Sequence, residues 1–328
     1  MTILEQIRKR AVARQKTVVL PESEDQRTLD AVPVILEQKI AKVILVGKED
    51  VMGRIKAKDL SDFTLIDPAK FKDIDAVGNE YYELRKHKGT TLEEAQKTVR
   101  EDWMAFGAML VRRDTAHGFV AGASHTTADT VRAALRCLKI EKSIGVAAGS
   151  FLIEVPDSPY GEKGAFIYAD CGVNPEPNAR QLSGIAVLSA RLFQQLVGKT
   201  PKVAFLSYSS KGSAEGPLVD KVKEALARAK EMAPELLIDG ELQVDSALVP
   251  EVAKIKCGDS PVAGQANVLI FPDLNSGNIA YKLTQRLAKA RAVGPLLMGF
   301  TEPCSDLSRG CDVDDIVDAV AITAVRDN

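Results

Sequence analysis

Histidine is scarce in this chain. His87, His117 and His125 are the whole supply, too few and too separated to suggest a metal cluster. The five cysteines, Cys137, Cys171, Cys257, Cys304 and Cys311, are scattered, odd in number and form no CxxC, which argues against a disulfide framework or a zinc site. With a formal net charge of -2 there is no basic footprint for nucleic acid, although local basic residues can still bind a small anion. No apolar stretch is long enough to span a membrane. Charges interrupt the apolar positions of residues 1–10, so the N-terminus reads as an amphipathic helix rather than a signal peptide, and the cytoplasm is the expected compartment. Three familiar motifs are missing as well. There is no GxGxxG and no GxSxG, and Gly198-Lys199-Thr200 imitates the end of a phosphate-binding loop only until Phe193 is found at the position of its first glycine. Common nucleotide-binding and serine-hydrolase readings lose ground accordingly.

What remains is ordinary globular material, 45% hydrophobic and 27% charged, in a length of 328 residues that suggests two domains. Short apolar runs at 17–20, 43–46 and 63–66 alternate with helical patterns, beginning with 25–38. Such alternation points to a mostly parallel sheet covered by helices. Helical segments follow at 79–88 and 91–112, the latter long enough for one helix or two. A buried strand at 118–121 leads into Gly122-Ala-Ser-His-Thr-Thr127 and a helix carrying Arg132. Small and hydroxyl residues between strand and helix favour anion binding, because free backbone N–H groups point outward there; the plain alternative is a Ser/Thr N-cap with Arg132 solvated. Near Ser143 the texture changes. Runs at 144–155, 164–169, 203–206 and 268–271 read as further strands. The loops 170–177, 207–213 and 272–278 follow three of them, at strand ends where open α/β sheets bind ligands.

The chemistry is concentrated in residues 306–315, Asp-Leu-Ser-Arg-Gly-Cys-Asp-Val-Asp-Asp. Gly310 would allow a turn that other residues resist. Arg309 carries a permanent, forked charge suited to phosphate or an oxyanion. Asp312 to Asp315 is equally well a helix start, with Asp312 as N-cap and acids in the first turn; Ser308-Arg309-Gly310 is the addition that a cap does not require. Spacing and composition reach as far as a two-domain α/β enzyme acting on an anionic small molecule.

From Leu84-Arg-Lys-His-Lys-Gly89 onward the chain resembles the phosphate acetyltransferases (phosphotransacetylases). The resemblance continues through 207–213 (Ser-Tyr-Ser-Ser-Lys-Gly-Ser), 239–245 (Asp-Gly-Glu-Leu-Gln-Val-Asp), 260–264, 266–274, 277–282 and Asp306-Leu-Ser-Arg-Gly310. It implies two three-layer α/β domains with mostly parallel sheets and an interdomain cleft, like the isocitrate and isopropylmalate dehydrogenases. It further implies a discontinuous first domain (1–143 with 293–328) around a second (144–292), and a homodimer. The implied reaction is acetyl-CoA plus phosphate giving acetyl phosphate plus CoA, with CoA as substrate and no cofactor or metal. The family's Ser-Arg pair falls on Ser308 and Arg309, its acid on Asp315, and its phosphate-side arginines on Arg85 and Arg132. The chain departs from the family at Ser305, often Asn, at Met298, often Gln, and at Ser158, often Cys. The first two would lie near the cleft; Ser158 argues against an essential cysteine.

The resemblance implies direct transfer, with Asp315 taking the CoA thiol proton, Arg309 facing the oxyanion and Ser308 donating a hydrogen bond as charge moves. Full transfer from a thiol (pKa ~8.5) to an ordinary aspartate (~3.9) is roughly 6 kcal/mol uphill. That fits inside the roughly 16 kcal/mol barrier of an enzyme turning over about 10 times per second. A helix N-terminus at Asp315 would make the step harder, so an orienting role stays open. His87 and His125 read as structural hydrogen-bonders, Cys311 as packing, and Lys211 and Lys282 as solvated charges. Three alternatives remain: a phosphate butyryltransferase, a non-catalytic acyl-CoA-sensing module, and a metal-dependent hydroxyacid dehydrogenase, the last disfavoured by the lack of a nicotinamide motif.

Overall fold

The computed structural model describes residues 1–327. The chain forms two compact units, residues 1–140 with the segment from Phe300 onward, and residues 141–299. The return therefore lies at Gly299/Phe300, beyond the crossing expected near Val293, because Val293 sits inside a strand that pairs within the second unit.

The first unit runs α1 (Ile3–Arg14), β1 (Thr17–Leu20), α2 (Gln26–Glu37), β2 (Lys42–Val46), β3 (Phe63–Ile66), α3 (Ile74–Arg85), α4 (Leu92–Glu101), α5 (Trp103–Arg112), β4 (Gly118–Ala121) and α6 (Thr127–Cys137). Its strands are short and apolar; Val18, Val19 and Leu20 are buried, as parallel strands covered on both faces must be. Capping boxes start α1 (Thr2, Glu5), α4 (Thr91, Glu94) and α6 (Thr126, Asp129). The 91–112 segment is two helices. Asp102 has extended backbone, ends α4, and accepts the Ala105 N–H to cap α5.

The second unit contains β5 (Ala148–Glu154), β6 (Ala165–Ala169), α7 (Ala179–Val197), β7 (Lys202–Leu206), α8 (Pro217–Met232), β8 (Leu237–Leu242), α9 (Val244–Leu248), α10 (Pro250–Lys256), β9 (Val268–Ile270), α11 (Leu274–Leu287) and β10 (Arg291–Met298). The strand order is β10-β5-β6-β9-β7-β8. The β6, β9, β7 and β8 pairings are parallel, whereas β5 pairs antiparallel with both β10 and β6. Its core gathers Phe151, Phe166, Tyr168, Leu206, Leu269, Phe271 and Tyr281, with Phe151 stacked on Tyr281 at 3.9 Å between ring centroids. On α11, Ile279, Leu283 and Leu287 are exposed at four-residue spacing.

The chain then completes the first unit with β11 (Cys304–Asp306) and α12 (Val313–Val325). β11 joins β4 in parallel, giving the all-parallel order β3-β2-β1-β4-β11. Two groups of helices cover this sheet: α1, α2 and α12, and the connected set α3 to α6. Every residue of α12 from Ile316 to Val325 is buried, the signature of a helix enclosed on all sides. Its one acid there, Asp318, is 3% exposed and meets Arg8 of α1 at 2.6 Å.

That ion pair fixes α1 against the central helix. Arg8→Met leaves Asp318 without its guanidinium, and breaking a buried pair from one side costs about 3 kcal/mol. Thermal unfolding should show a clear drop in Tm. An unchanged Tm would mean that apolar packing alone seats α1.

Candidate active site

The loop from Gly122 to Thr126, between β4 and α6, does gather backbone N–H groups around an anion, but the anion is the protein's own. Glu22, 1% exposed, accepts from Gly122, Ala123, Ser124 and His125 N–H at 2.8 to 3.0 Å. It also accepts from the Ser124 hydroxyl and lies 2.8 Å from His125 Nδ1. The expectation that this loop offers free amides to substrate is thus corrected, since Glu22 consumes them. Burial pushes the Glu22 pKa up, but the bonds from His125 and the loop amides outweigh it, and the group stays below its ordinary value. Gly122 makes the geometry possible; its φ is +108°, and a Cβ there would meet Asp306 Oδ1 at 2.2 Å.

The turn carrying Ser308 and Arg309 is exposed and tied to that loop through Arg27, which sequence reasoning passed over. Arg27 Nη1 donates to the carbonyls of Arg309 (2.8 Å) and Cys311 (2.9 Å), and Nη2 donates to that of Ala123 (2.6 Å). Asp25, the α2 N-cap, holds the same guanidinium at 2.7 Å. The only signal in the sequence was an Asp-x-Arg at a helix start. Ser308 Oγ accepts from Gly310 N–H at 3.2 Å. The Arg309 guanidinium has no hydrogen-bond or ion-pair partner among the described residues. Gly310 does not use a glycine conformation: its φ is ordinary and a Cβ would meet only Ser308 Oγ, at 3.8 Å. Asp315 takes the place of N3 in α12, in a capping box with Asp312: Asp315 N–H donates to Asp312 Oδ1 at 2.8 Å, and Asp312 N–H to Asp315 Oδ2 at 3.1 Å. The helix-start reading of this stretch is therefore correct as structure.

A cavity of about 480 Å³ opens beside the loop, lined among others by Trp103, His125, Asp129, Arg132 and Arg136. Arg132 and Arg136 stand one turn apart on α6 and so share a face. Arg132 is paired with Asp129, whereas the guanidinium of Arg136 forms no hydrogen bond or ion pair among the described residues. Arg85, at the end of α3, does not line this cavity; its charge acts with that of Arg136 on the buried Tyr81 and Cys137. Ser308, Arg309 and Asp315 do not line it either. All five residues singled out in the sequence belong to the first unit.

Other candidates fall into structural roles. Lys211 Nζ bonds buried Asp239 at 2.6 Å, and Lys282 lies over its neighbour Tyr281. His117 Nε2 is 2.8 Å from the Arg326 carbonyl oxygen, and His87 is exposed on the short turn after α3. Ser305 and Met298 are buried, Ser305 against Thr323 and Met298 against Ser150. Cys311 is buried, which pushes its thiol up to about 11.

Asp306, two residues before Ser308, is fully buried, and neither carboxyl oxygen has a hydrogen-bond partner among the described residues. Burial pushes its pKa up to about 7; the nearby Thr127 and Thr130 hydroxyls and the Leu307 N–H pull the other way, and the Glu22 charge adds to the rise.

Residues 2–324 match the family model described as phosphate acetyl/butaryl transferase. A phosphate acetyltransferase of Thermoanaerobacterium thermosaccharolyticum is 48% identical over 327 residues, 99% of each chain. A crystal structure of a phosphotransacetylase from Streptococcus pyogenes superposes with a TM-score of 0.91 at 40% identity, covering 98% of this chain and 97% of that one. In fold alone, a 4-hydroxythreonine-4-phosphate dehydrogenase from Burkholderia phymatum is similar, with a TM-score of 0.53 at 10% identity over 94% of this chain and 97% of that one.

Asp306 makes stability depend on pH in a direction opposite to most paired carboxylates. Its folded pKa lies above the unfolded value, so the folded state binds the extra proton between the ordinary carboxylate range and about pH 7. Stability is highest at the acid end of that window and falls as pH rises through it, by roughly 4 kcal/mol in total. Asp306→Asn, which cannot ionise, should raise Tm by much more at pH 8.5 than at pH 5. Equal shifts at both values would show that burial is not what governs this carboxyl.

Proposed function

The chain belongs to the phosphate acetyl/butaryl transferase family and catalyses reversible acetyl transfer between CoA and phosphate; we propose that the transfer is direct, in a ternary complex, with the turn after β11 at its centre. Asp315 accepts the thiol proton of CoA, the thiolate attacks the acetyl carbonyl carbon of acetyl phosphate, and the bond to the phosphate oxygen breaks so that phosphate leaves with the electron pair. Arg309 faces the oxygen on which charge builds. Ser308 donates a hydrogen bond to the sulfur or to that oxygen, and Arg85 and Arg132 hold a phosphate group of the substrates. Arginine suits both tasks, being always charged and able to bond two oxygens at once.

The observation that carries this reading is the state of Arg309. Its backbone is fixed through Arg27, yet its guanidinium is exposed and has no partner among the described residues. A permanent charge held in place and left unpaired is ready for a negative ligand at little cost in reorganisation. Ser308 Oγ spends a lone pair on Gly310 N–H, and its own proton remains to be given. Gly310 leaves the turn bare of a side chain where substrate would approach. CoA and acetyl phosphate enter as substrates, with no resident cofactor. The reading as a phosphate acetyltransferase goes with a cytoplasmic location, and no described helix is long and apolar enough to cross a membrane. The protein is read as a homodimer, which would give Ile279, Leu283 and Leu287 of α11 a covering surface.

Phosphate-dependent release of CoA from acetyl-CoA tests the chemistry. Arg309→Ala should lower kcat by about 10²- to 10³-fold, the usual loss of one oxyanion-stabilising group. Asp315→Asn keeps an acceptor for the Asp312 N–H, so Tm should hold while kcat falls; a variant with full kcat would return Asp315 to helix capping alone. Arg27→Ala leaves the charge of Arg309 intact but frees its turn, and should lower kcat with CoA still bound. Full activity there would sink the claim that the turn must be held.

A further inference from the structure

We infer that His125 is a further substrate-binding residue, its Nε2 donating a hydrogen bond to a phosphate group in the cavity beside Arg132, with Glu22 as the positioning residue that holds the ring. The inference rests on the reading of Arg132 as a phosphate-binding residue.

The ring has two ends in different surroundings. Nδ1 lies 2.8 Å from Glu22 Oε1, and Glu22 is almost wholly buried. An ionised carboxylate only accepts, so Nδ1 carries a proton and the tautomer is settled from that side. The side chain is nevertheless 40% exposed and lines the cavity, while Glu22 does not. Nε2 is the ring nitrogen left for the cavity, since it has no hydrogen-bond partner among the described residues. His125 directly precedes Thr126, the N-cap of α6, so the loop amides that grip Glu22 also fix the backbone from which the ring projects.

The cavity is lined by four carboxylates, Glu24, Glu101, Asp102 and Asp129, beside Arg132, Arg136 and His125. Asp129 is occupied by the Thr126 cap and by Arg132. Asp102 accepts the α5 cap N–H, Glu24 meets the Ser124 hydroxyl at 3.4 Å, and Glu101 pairs with Lys97 at 3.8 Å, so that Asp129 and Glu101 have cationic partners. Arg136 contributes a guanidinium with no partner among the described residues. Burial works to lower the His125 pKa, but the Glu22 bond and the charges of Glu22, Glu24 and Asp129 outweigh it and raise the pKa, which favours the doubly protonated donor. A ring needed only to satisfy Glu22 has no reason to present its other nitrogen to a cavity shared with two arginines.

Two substitutions separate the two ends. The Asn side-chain amide overlays Nδ1 and keeps the Glu22 contact; that of Gln overlays Nε2 and keeps the cavity contact. KM for CoA and KM for acetyl phosphate would be measured for wild type, His125→Asn, His125→Gln and Arg132→Gln, with Tm recorded for each. His125→Asn is expected to fold normally and to raise one of the two KM values by roughly ten- to a hundredfold, the size of one hydrogen bond to a charged group. His125→Gln is expected to recover part of that loss. The KM that moves identifies the source of the phosphate, the nucleotide-bearing substrate or acetyl phosphate. Wild-type KM values in His125→Asn, a fall in kcat with both KM values unchanged, or rescue by Asn rather than Gln would each overturn the inference. Failure of the underlying reading looks different: Arg132→Gln would then leave both KM values unchanged as well.

Discussion

The carboxylate of Glu22 organises the first unit's loops. It is a charge taken out of water, tolerable only because the Gly122–His125 backbone turns four N–H groups toward it. The arrangement is mutual. Without the anion those amides at the start of α6 would lack a partner; without the amides Glu22 would have to be neutral. Once this contact is made, three neighbours are fixed: His125 through Nδ1, Ala123 with its carbonyl turned to Arg27, and Gly122 close against Asp306.

Arg27 extends that order to the Ser308-Arg309 turn. Its planar fork reaches carbonyls on both loops at once, a task for which lysine, with a point charge, is poorly suited. The result is a division of labour between arginines. Arg27 is fully engaged with backbone and with Asp25, and so is structural in its contacts; Arg309 and Arg136 are left without partners among the described residues. Such guanidinia beside rigid backbone are a resource for binding, because the reorganisation that an anion would otherwise demand has already been met by folding.

Much of the first unit was legible because its strands are short apolar runs flanked by capping residues. The runs at 17–20, 63–66 and 118–121 coincide with β1, β3 and β4 to the residue. The strand 237–242 was not legible: Leu-Ile-Asp-Gly-Glu-Leu carries two acids and a glycine, and it is buried only because Asp239 finds Lys211 and Glu241 finds Ser209 and the Gly212 N–H. The antiparallel placement of β5 was hidden as well, since an apolar run does not state its direction. At the site, residue types drew attention to Ser308 and Arg309, and the family resemblance singled out Ser308, Arg309, Asp315, Arg85 and Arg132, whose roles remain proposals. Glu22 and Arg27 escaped notice because their importance lies in long-range contacts, one hundred residues away in one case and 282 in the other. The glycine expectation at Gly310 failed for the opposite reason: the turn there needs no special backbone.

The order in which the chain is made gives the discontinuous first unit a further meaning. Residues 141–299 are contiguous and can close their own sheet as soon as they are complete, whereas the first unit lacks its fifth strand until β11 is made and lacks its enclosed helix until α12 follows. The unit that starts first on the ribosome is thus the one that finishes last. Until then α1 and α2 have no α12 to cover their apolar faces, and Arg27 has no turn to hold. The segment that closes the fold is also the one that delivers Ser308, Arg309 and Asp315, so the reactive turn is assembled only in a chain whose first unit is already whole.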